Sequence, residues 1–124
     1  MKIYFDGGCR PNPGRIETAV VAAGRTYHRA DHGCGDNSDA EWLALIEALK
    51  LARDLCIPDV ILLGDSATVV DHASGASRRV LPRFHLYHAR YRALVAGFDR
   101  VRIRRVPRTH NLAGIALARL DGRI

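Results

Sequence analysis

Alternation opens the chain: Ile3 and Phe5 fall on one side of residues 2–6 and Tyr4 and Asp6 on the other, the two-residue period of a half-buried strand. Gly7, Gly8 and the run Arg10-Pro11-Asn12-Pro13-Gly14 break that period, so a turn is expected directly after Asp6. Residues 17–23 and 24–30 read as two strands joined tightly around Gly24, which predicts an antiparallel hairpin. The period then lengthens. Trp42, Leu45, Ile46, Leu49 and Ala52 form one apolar stripe at helical spacing, with Ser38 as the expected N-cap and a stop near Leu55, ahead of Pro58. Val60 to Leu63 is a short continuous apolar run, the pattern of a central parallel strand buried on both faces, and it leaves Asp65 at the carboxyl end of that strand. Residues 66–73 predict a short helix before the break at 74–77, and residues 81–98 a longer one with Pro82 in its first turn. Residues 100–106 alternate again as a last strand, and residues 112–120 close the pattern as a small helix.

This order, three strands, a helix, a strand, helices, a strand and a helix, predicts an α/β fold with a mixed sheet. No repeat or linker-like shift in composition interrupts it, so one domain over residues 1–124 is expected. The hydrophobic fraction of 48% and charged fraction of 26% are those of a soluble globular protein. No run reaches the roughly 20 apolar residues of a membrane helix. The first residues lack the pattern of a secretory leader, and a cytoplasmic, monomeric protein with no membrane contact is expected. Cys9, Cys34 and Cys56 contain no CxxC pair, which argues against a disulfide framework and a cysteine-rich zinc site.

Charge changes the picture because it is unevenly spread. Residues 1–62 carry 7 Lys and Arg against 9 Asp and Glu, whereas residues 63–124 carry 12 against 4, giving balances of −2 and +8 within the overall +6. All twelve basic residues of the second half are arginines, whose planar fork of donors matches phosphate oxygens, so a polyanionic partner is expected.

The candidate chemistry lies in three acids. Asp6 ends the first strand, Asp65 ends the buried fourth one, and Glu41 stands in the first turn of the intervening helix. Adjacent parallel strands would bring the two aspartates together at their carboxyl ends, and a helix starting over that edge would add the glutamate. Such a cluster of hard oxygen ligands suits Mg²⁺ or Mn²⁺. Read singly, each acid also has a plain structural use: Asp6 in a glycine turn, Glu41 in a capping box with Ser38, Asp65 at the cap of the next helix.

The surrounding residues separate these readings. Along nearly its whole length the chain resembles the ribonuclease H family. Tyr4 to Gly14 is similar to the family's first motif, an aspartate followed by a glycine turn and an asparagine-proline-glycine segment; Asn37 to Leu45 to the second; Leu63-Gly64-Asp65-Ser66 to the third; and Val106 to Asn111 with Leu117-Ala118-Arg119 to the approach to the fourth. The resemblance implies a five-stranded mixed sheet, three antiparallel strands followed by two parallel to the first, flanked by helices. It also implies endonucleolytic hydrolysis of the RNA strand of an RNA/DNA hybrid by a two-metal-ion mechanism, with Asp6, Glu41 and Asp65 as catalytic metal ligands. Gly7, Cys9, Asn12, Asn37, Ser66, Arg108, His110 and Asn111 match positions expected to meet the nucleic acid, whose wide minor groove displays 2′-hydroxyls and base edges.

The chain departs from the family at the fourth motif. Aligned on Asn111, Leu117 and Ala118, Gly114 stands where the motif has alanine and Ile115 where it has the fourth catalytic aspartate. Isoleucine binds no metal. Three readings follow: the three acids and a substrate phosphate hold both ions, His110 or Asp121 approaches from one side, or the chain binds hybrids without cutting them. Related two-metal sites that cut duplex or branched DNA are a further alternative for the same fold.

Overall fold

The computed structural model describes residues 1–120 and 122; Asp121 lies outside the described residues. Its strands are β1 (Lys2–Cys9), β2 (Gly14–Ala22), β3 (Arg25–Arg29), β4 (Cys34–Gly35), β5 (Asp59–Gly64) and β6 (Arg100–Arg105), and its helices α1 (Asn37–Asp54), α2 (Ala67–Ser74), α3 (His85–Val95) and α4 (Leu112–Leu120). The main sheet runs β3-β2-β1-β5-β6, with β1–β2 and β2–β3 antiparallel and β1–β5 and β5–β6 parallel, the mixed five-stranded arrangement expected. The two-residue β4 adds a short antiparallel pairing to the start of β2 and had no signal in the sequence.

One face of the sheet carries most of the core. Ile3 and Phe5 of β1, Val20 and Ala22 of β2 and Val60 and Leu62 of β5 pack beneath Trp42, Leu45, Leu49 and Ala52 of α1, the stripe read from the sequence. The opposite face is thinner, with Ala19 and Val21 covered by Ala113 and Leu117 of α4.

Three expectations are corrected. The first strand does not end at Asp6: Gly7 and Gly8 continue it to Cys9, paired with β2 through Cys9 and Ile16. Glycine is needed there for proximity, since a Cβ on Gly7 would stand 2.1 Å from the carbonyl oxygen of Ala40, so helix α1 comes closer to β1 than any side chain allows. Gly7→Ala is accordingly expected to destabilise the fold by about 1–3 kcal/mol, measured as a drop in the denaturant midpoint. Second, the N-cap of α1 is Asp36, which accepts from the Asp39 N–H while Asp39 returns the bond, so Ser38 and Glu41 form no capping box. Freed from the cap, Glu41 turns inward. Third, the long helix over 81–98 divides into a 3₁₀ turn at Pro82–Phe84 and α3, because Phe84 is drawn in against Trp42 and His72. Arg83 from this turn pairs with Asp36, and the Tyr87 hydroxyl donates to Asp39 at 3.0 Å, so the segment braces the start of α1.

Candidate active site

The parallel pairing of β1 with β5 ends at Tyr4 and Leu63, and the strands then separate. Asp6 and Asp65 each follow two residues later on the same face, and α1 begins over this opening with Glu41 pointing into it. Ligand oxygens of the three acids lie within 4.8 Å of one another. The convergence expected from the motif order is therefore present.

The cluster is held by polar contacts beneath it. The Gly7 N–H donates to Glu41 Oε1 at 3.2 Å. Asn111 Nδ2 donates to Asp65 Oδ2 at 2.9 Å and to the Phe5 carbonyl at 3.0 Å, while its Oδ1 accepts from the Ala113 N–H at 3.1 Å and caps α4. This amide sets the Asp65 carboxylate and ties α4 to β1. Asn111→Ala is expected to cost about 1–3 kcal/mol in chemical unfolding, because it leaves buried partners unpaired.

Electrostatically the site is strained. Burial pushes the Glu41 carboxyl well above the usual range, and the adjoining carboxyls of Asp6 and Asp65 push it further. Burial also raises Asp6; its approach to Glu41 opposes this, and the nearby Arg108 guanidinium favours the charged form. Glu41 is 7% exposed, and its Oε2 has no hydrogen-bond partner among the described residues. A buried acceptor of this kind, facing two further carboxylates, is the environment a hard divalent cation satisfies.

A groove of about 490 Å³ opens above the acids, lined also by Gly7, Cys9, Asn37, Ser66 and Arg108. The expected contact residues divide into four groups. Asn37 is exposed with its Oδ1 held by the Cys9 N–H at 3.0 Å, which turns its Nδ2 outward, and Asn12 braces it by accepting from the Asn37 N–H at 3.2 Å. Cys9 is buried, with its thiol donating to the Gly35 carbonyl, and Ser66 caps α2 by accepting from Val69. Asn111 is fully buried beneath the cluster, where its amide supports Asp65. His110 is exposed and does not line the groove.

Gly114 was legible only as a departure, yet its α-carbon faces the acids: a Cβ there would meet Asp6 Oδ2 at 3.3 Å and Asp65 Oδ2 at 3.6 Å. Ile115 lines the groove beside it. Glu17 also reaches the rim, where it pairs with His28 at 3.7 Å.

A reverse transcriptase-like family model matches residues 5–120. The crystal structure of RNase H1 from Halobacterium salinarum superposes with a TM-score of 0.82 at 34% identity, covering 98% of this chain and 97% of that one. The chain belongs to the ribonuclease H family. The N-terminal RNase H domain of a Mycobacterium tuberculosis protein aligns at TM-score 0.80 and 30% identity over 94% of this chain and 93% of that one. In sequence, the ribonuclease HI of Halobacterium salinarum is 37% identical over 93% of the chain. The chain spans 60% of that curated relative's length and 35% of a bifunctional Mycobacterium tuberculosis relative's. Ribonuclease H members thus share the fold that brings the three acids together here. Among the described residues, no helix is long and apolar enough to cross a membrane.

Proposed function

We propose that this chain hydrolyses the RNA strand of RNA/DNA hybrids endonucleolytically, with Asp6, Glu41 and Asp65 as its catalytic carboxylates. The observation that carries this reading is the meeting of the three acids within 4.8 Å at one sheet edge, with Glu41 Oε2 buried and unpartnered among the described residues. Family membership supports the substrate class. The donor set, all carboxylate oxygen, fits Mg²⁺ or Mn²⁺, and two ions with substrate bound is the mechanism proposed. Ions held by these acids supply Lewis-acid polarisation of the phosphodiester and stabilise the charge that develops on it.

The chain's own residues perform the rest. Gly7 N–H and Asn111 Nδ2 fix the Glu41 and Asp65 carboxylates, so their orientation is set before substrate arrives. Arg108 offers a guanidinium to a phosphate at the groove. Asn37 presents Nδ2 to minor-groove acceptors, where the 2′-hydroxyl distinguishes RNA from DNA. Exposed arginines of the second half add non-specific attraction to the phosphate backbone.

The test is a labelled hybrid incubated with Mg²⁺ or Mn²⁺ beside duplex DNA, branched DNA and single strands. Cleavage confined to the RNA of the hybrid is expected; preferential cutting of the DNA substrates would reassign the chemistry, and no cutting with either ion would overturn it. A second reading, a hybrid-binding module without catalysis, is favoured by the apolar Ile115 on the groove wall. Ile115→Asp separates the two. For an enzyme short of one acid it should raise divalent-ion affinity by roughly 10-fold or more, the scale on which metal-site partners act, as read by calorimetric titration, with faster cleavage at limiting metal.

A further inference from the structure

Helix α4 packs on β1, β2 and β3, and the β5–β6 side of the same sheet face is more open. Cross-strand register puts Asp59 beside Arg100, Ile61 beside Arg102 and Leu63 beside Arg104. Since alternate residues share a face, Arg100, Arg102 and Arg104 form one stripe along the edge strand β6. Arg100 and Arg104 are exposed, and Ile61 is half-exposed between β1 and β6. Arg102 is held in place by donation to Asp59 Oδ1 at 3.2 Å, and its Nε is buried without a partner among the described residues.

The stripe continues into the acid cluster. Asp6 and Asp65 lie on this same face, two residues beyond Tyr4 and Leu63. Arg105 donates to the Asp65 carbonyl at 3.4 Å, and the Val106 N–H closes onto the Gly64 carbonyl at 2.9 Å. A strand with one phosphate at the acids therefore has a path along β6 away from the groove.

We infer that Arg100, Arg102 and Arg104 bind the phosphodiester backbone of a single strand extending from the hybrid beyond the cleavage site. Side chains two residues apart on a strand stand about 6.6 Å apart, which approximates the step between successive phosphates of an extended chain. The four residue steps from Arg100 to Arg104 span roughly 13 Å, enough for two or three phosphates. Asp59 neutralises part of the stripe at Arg102, whereas Arg100 and Arg104 are exposed and have no ion pair among the described residues. Arg100 and Arg104 expose their charge on one face of an edge strand, and positive charge in a row matches a polyphosphate chain. The inference rests on the proposed hybrid cleavage, because the strand reaches β6 from the acid cluster.

The experiment compares a blunt hybrid with hybrids carrying a short single-stranded extension on either strand. Binding is followed by fluorescence anisotropy in chelator, so that nothing is cut. Wild-type protein should bind one extended form several-fold more tightly, with the slope of log affinity against log salt steeper by about 0.7 for each phosphate engaged. Arg100→Gln combined with Arg104→Gln should remove about 1.4 of that slope, weaken extended-hybrid binding by far more than blunt-hybrid binding and retain a cooperative thermal transition. Arg100→Lys with Arg104→Lys should keep most of it. The inference is overturned if the double glutamine variant retains the full increment, if blunt and extended hybrids weaken equally, or if polyglutamate competes as well as a single strand. Failure of wild-type protein to bind or cut the blunt hybrid would instead defeat the proposed function, and a free single strand would still report on the stripe.

Discussion

Asp65→Asn is expected to lower RNA-strand hydrolysis by more than about 100-fold, equivalent to about 2.7 kcal/mol of transition-state stabilisation. Substitution of an outer partner of a metal ligand commonly costs 10–100-fold, and loss of the ligand itself should exceed that. The change removes one charge and keeps the shape. Asn111 Nδ2 now faces an amide in place of a carboxylate, and the amide can rotate to offer its oxygen, so the fold should persist. Single-turnover cleavage at saturating enzyme separates the chemical defect from weakened binding, and equal rates in the two proteins would remove Asp65 from the catalytic set. Because Ile115 stands on that wall of the groove with no fourth carboxylate beside it among the described residues, each remaining acid carries a larger share, and added Mn²⁺ should rescue the variant only partly.

A divalent cation is expected to stabilise the protein by about 2.7 kcal/mol at hundredfold excess over its dissociation constant, and by more as pH rises. The direction follows from the acids. Glu41 and Asp6 have folded-state pKa values raised above those of the unfolded chain, chiefly by burial. The unfolded chain therefore loses these protons at lower pH than the folded one. The stability they contribute is fully present below the ordinary carboxylate pKa of about 4 and is lost as pH climbs through the elevated folded values. In chelator at neutral pH the cluster thus burdens the fold, and bound cation relieves it. Glu41→Gln should reverse the pattern: a higher melting temperature than wild type in chelator at neutral pH, and a smaller gain on adding Mg²⁺. Thermal unfolding with and without chelator across pH 5–8 reads both effects. A wild-type melting temperature insensitive to Mg²⁺ and Mn²⁺ would argue that the acids bind no cation.

Elements with long, consistent periods are legible in the amino-acid order alone. Trp42, Leu45, Ile46, Leu49 and Ala52 announce α1 because a helix of five turns repeats its apolar stripe, and Val60 to Leu63 announces a central strand, whose Ile61 is nonetheless half-exposed on the face that α4 leaves open. Boundaries set by contacts are not. Gly7 and Gly8 read as a turn, and only the approach of Ala40 explains glycine inside a strand. Ser38 and Asp36 are equally good caps by residue type, and the Arg83 and Tyr87 contacts from a distant segment support Asp36 and Asp39. The β4 strand, two residues long, leaves no period to detect.

The same division runs through the site. Residue types and their order along the chain determined that three acids are available, that an arginine-rich second half accompanies them, and that the fourth acid is absent, since all of these are properties of identity and spacing. Only the tertiary structure decided that the oxygens meet within 4.8 Å, that Asn111 holds Asp65 from beneath, and that the α-carbon of Gly114 faces Asp6 and Asp65. The reason is physical: charge and periodicity are local along the chain, whereas burial, carboxylate repulsion and hydrogen-bond direction depend on distances between residues dozens of positions apart, and those distances exist only once the sheet has closed.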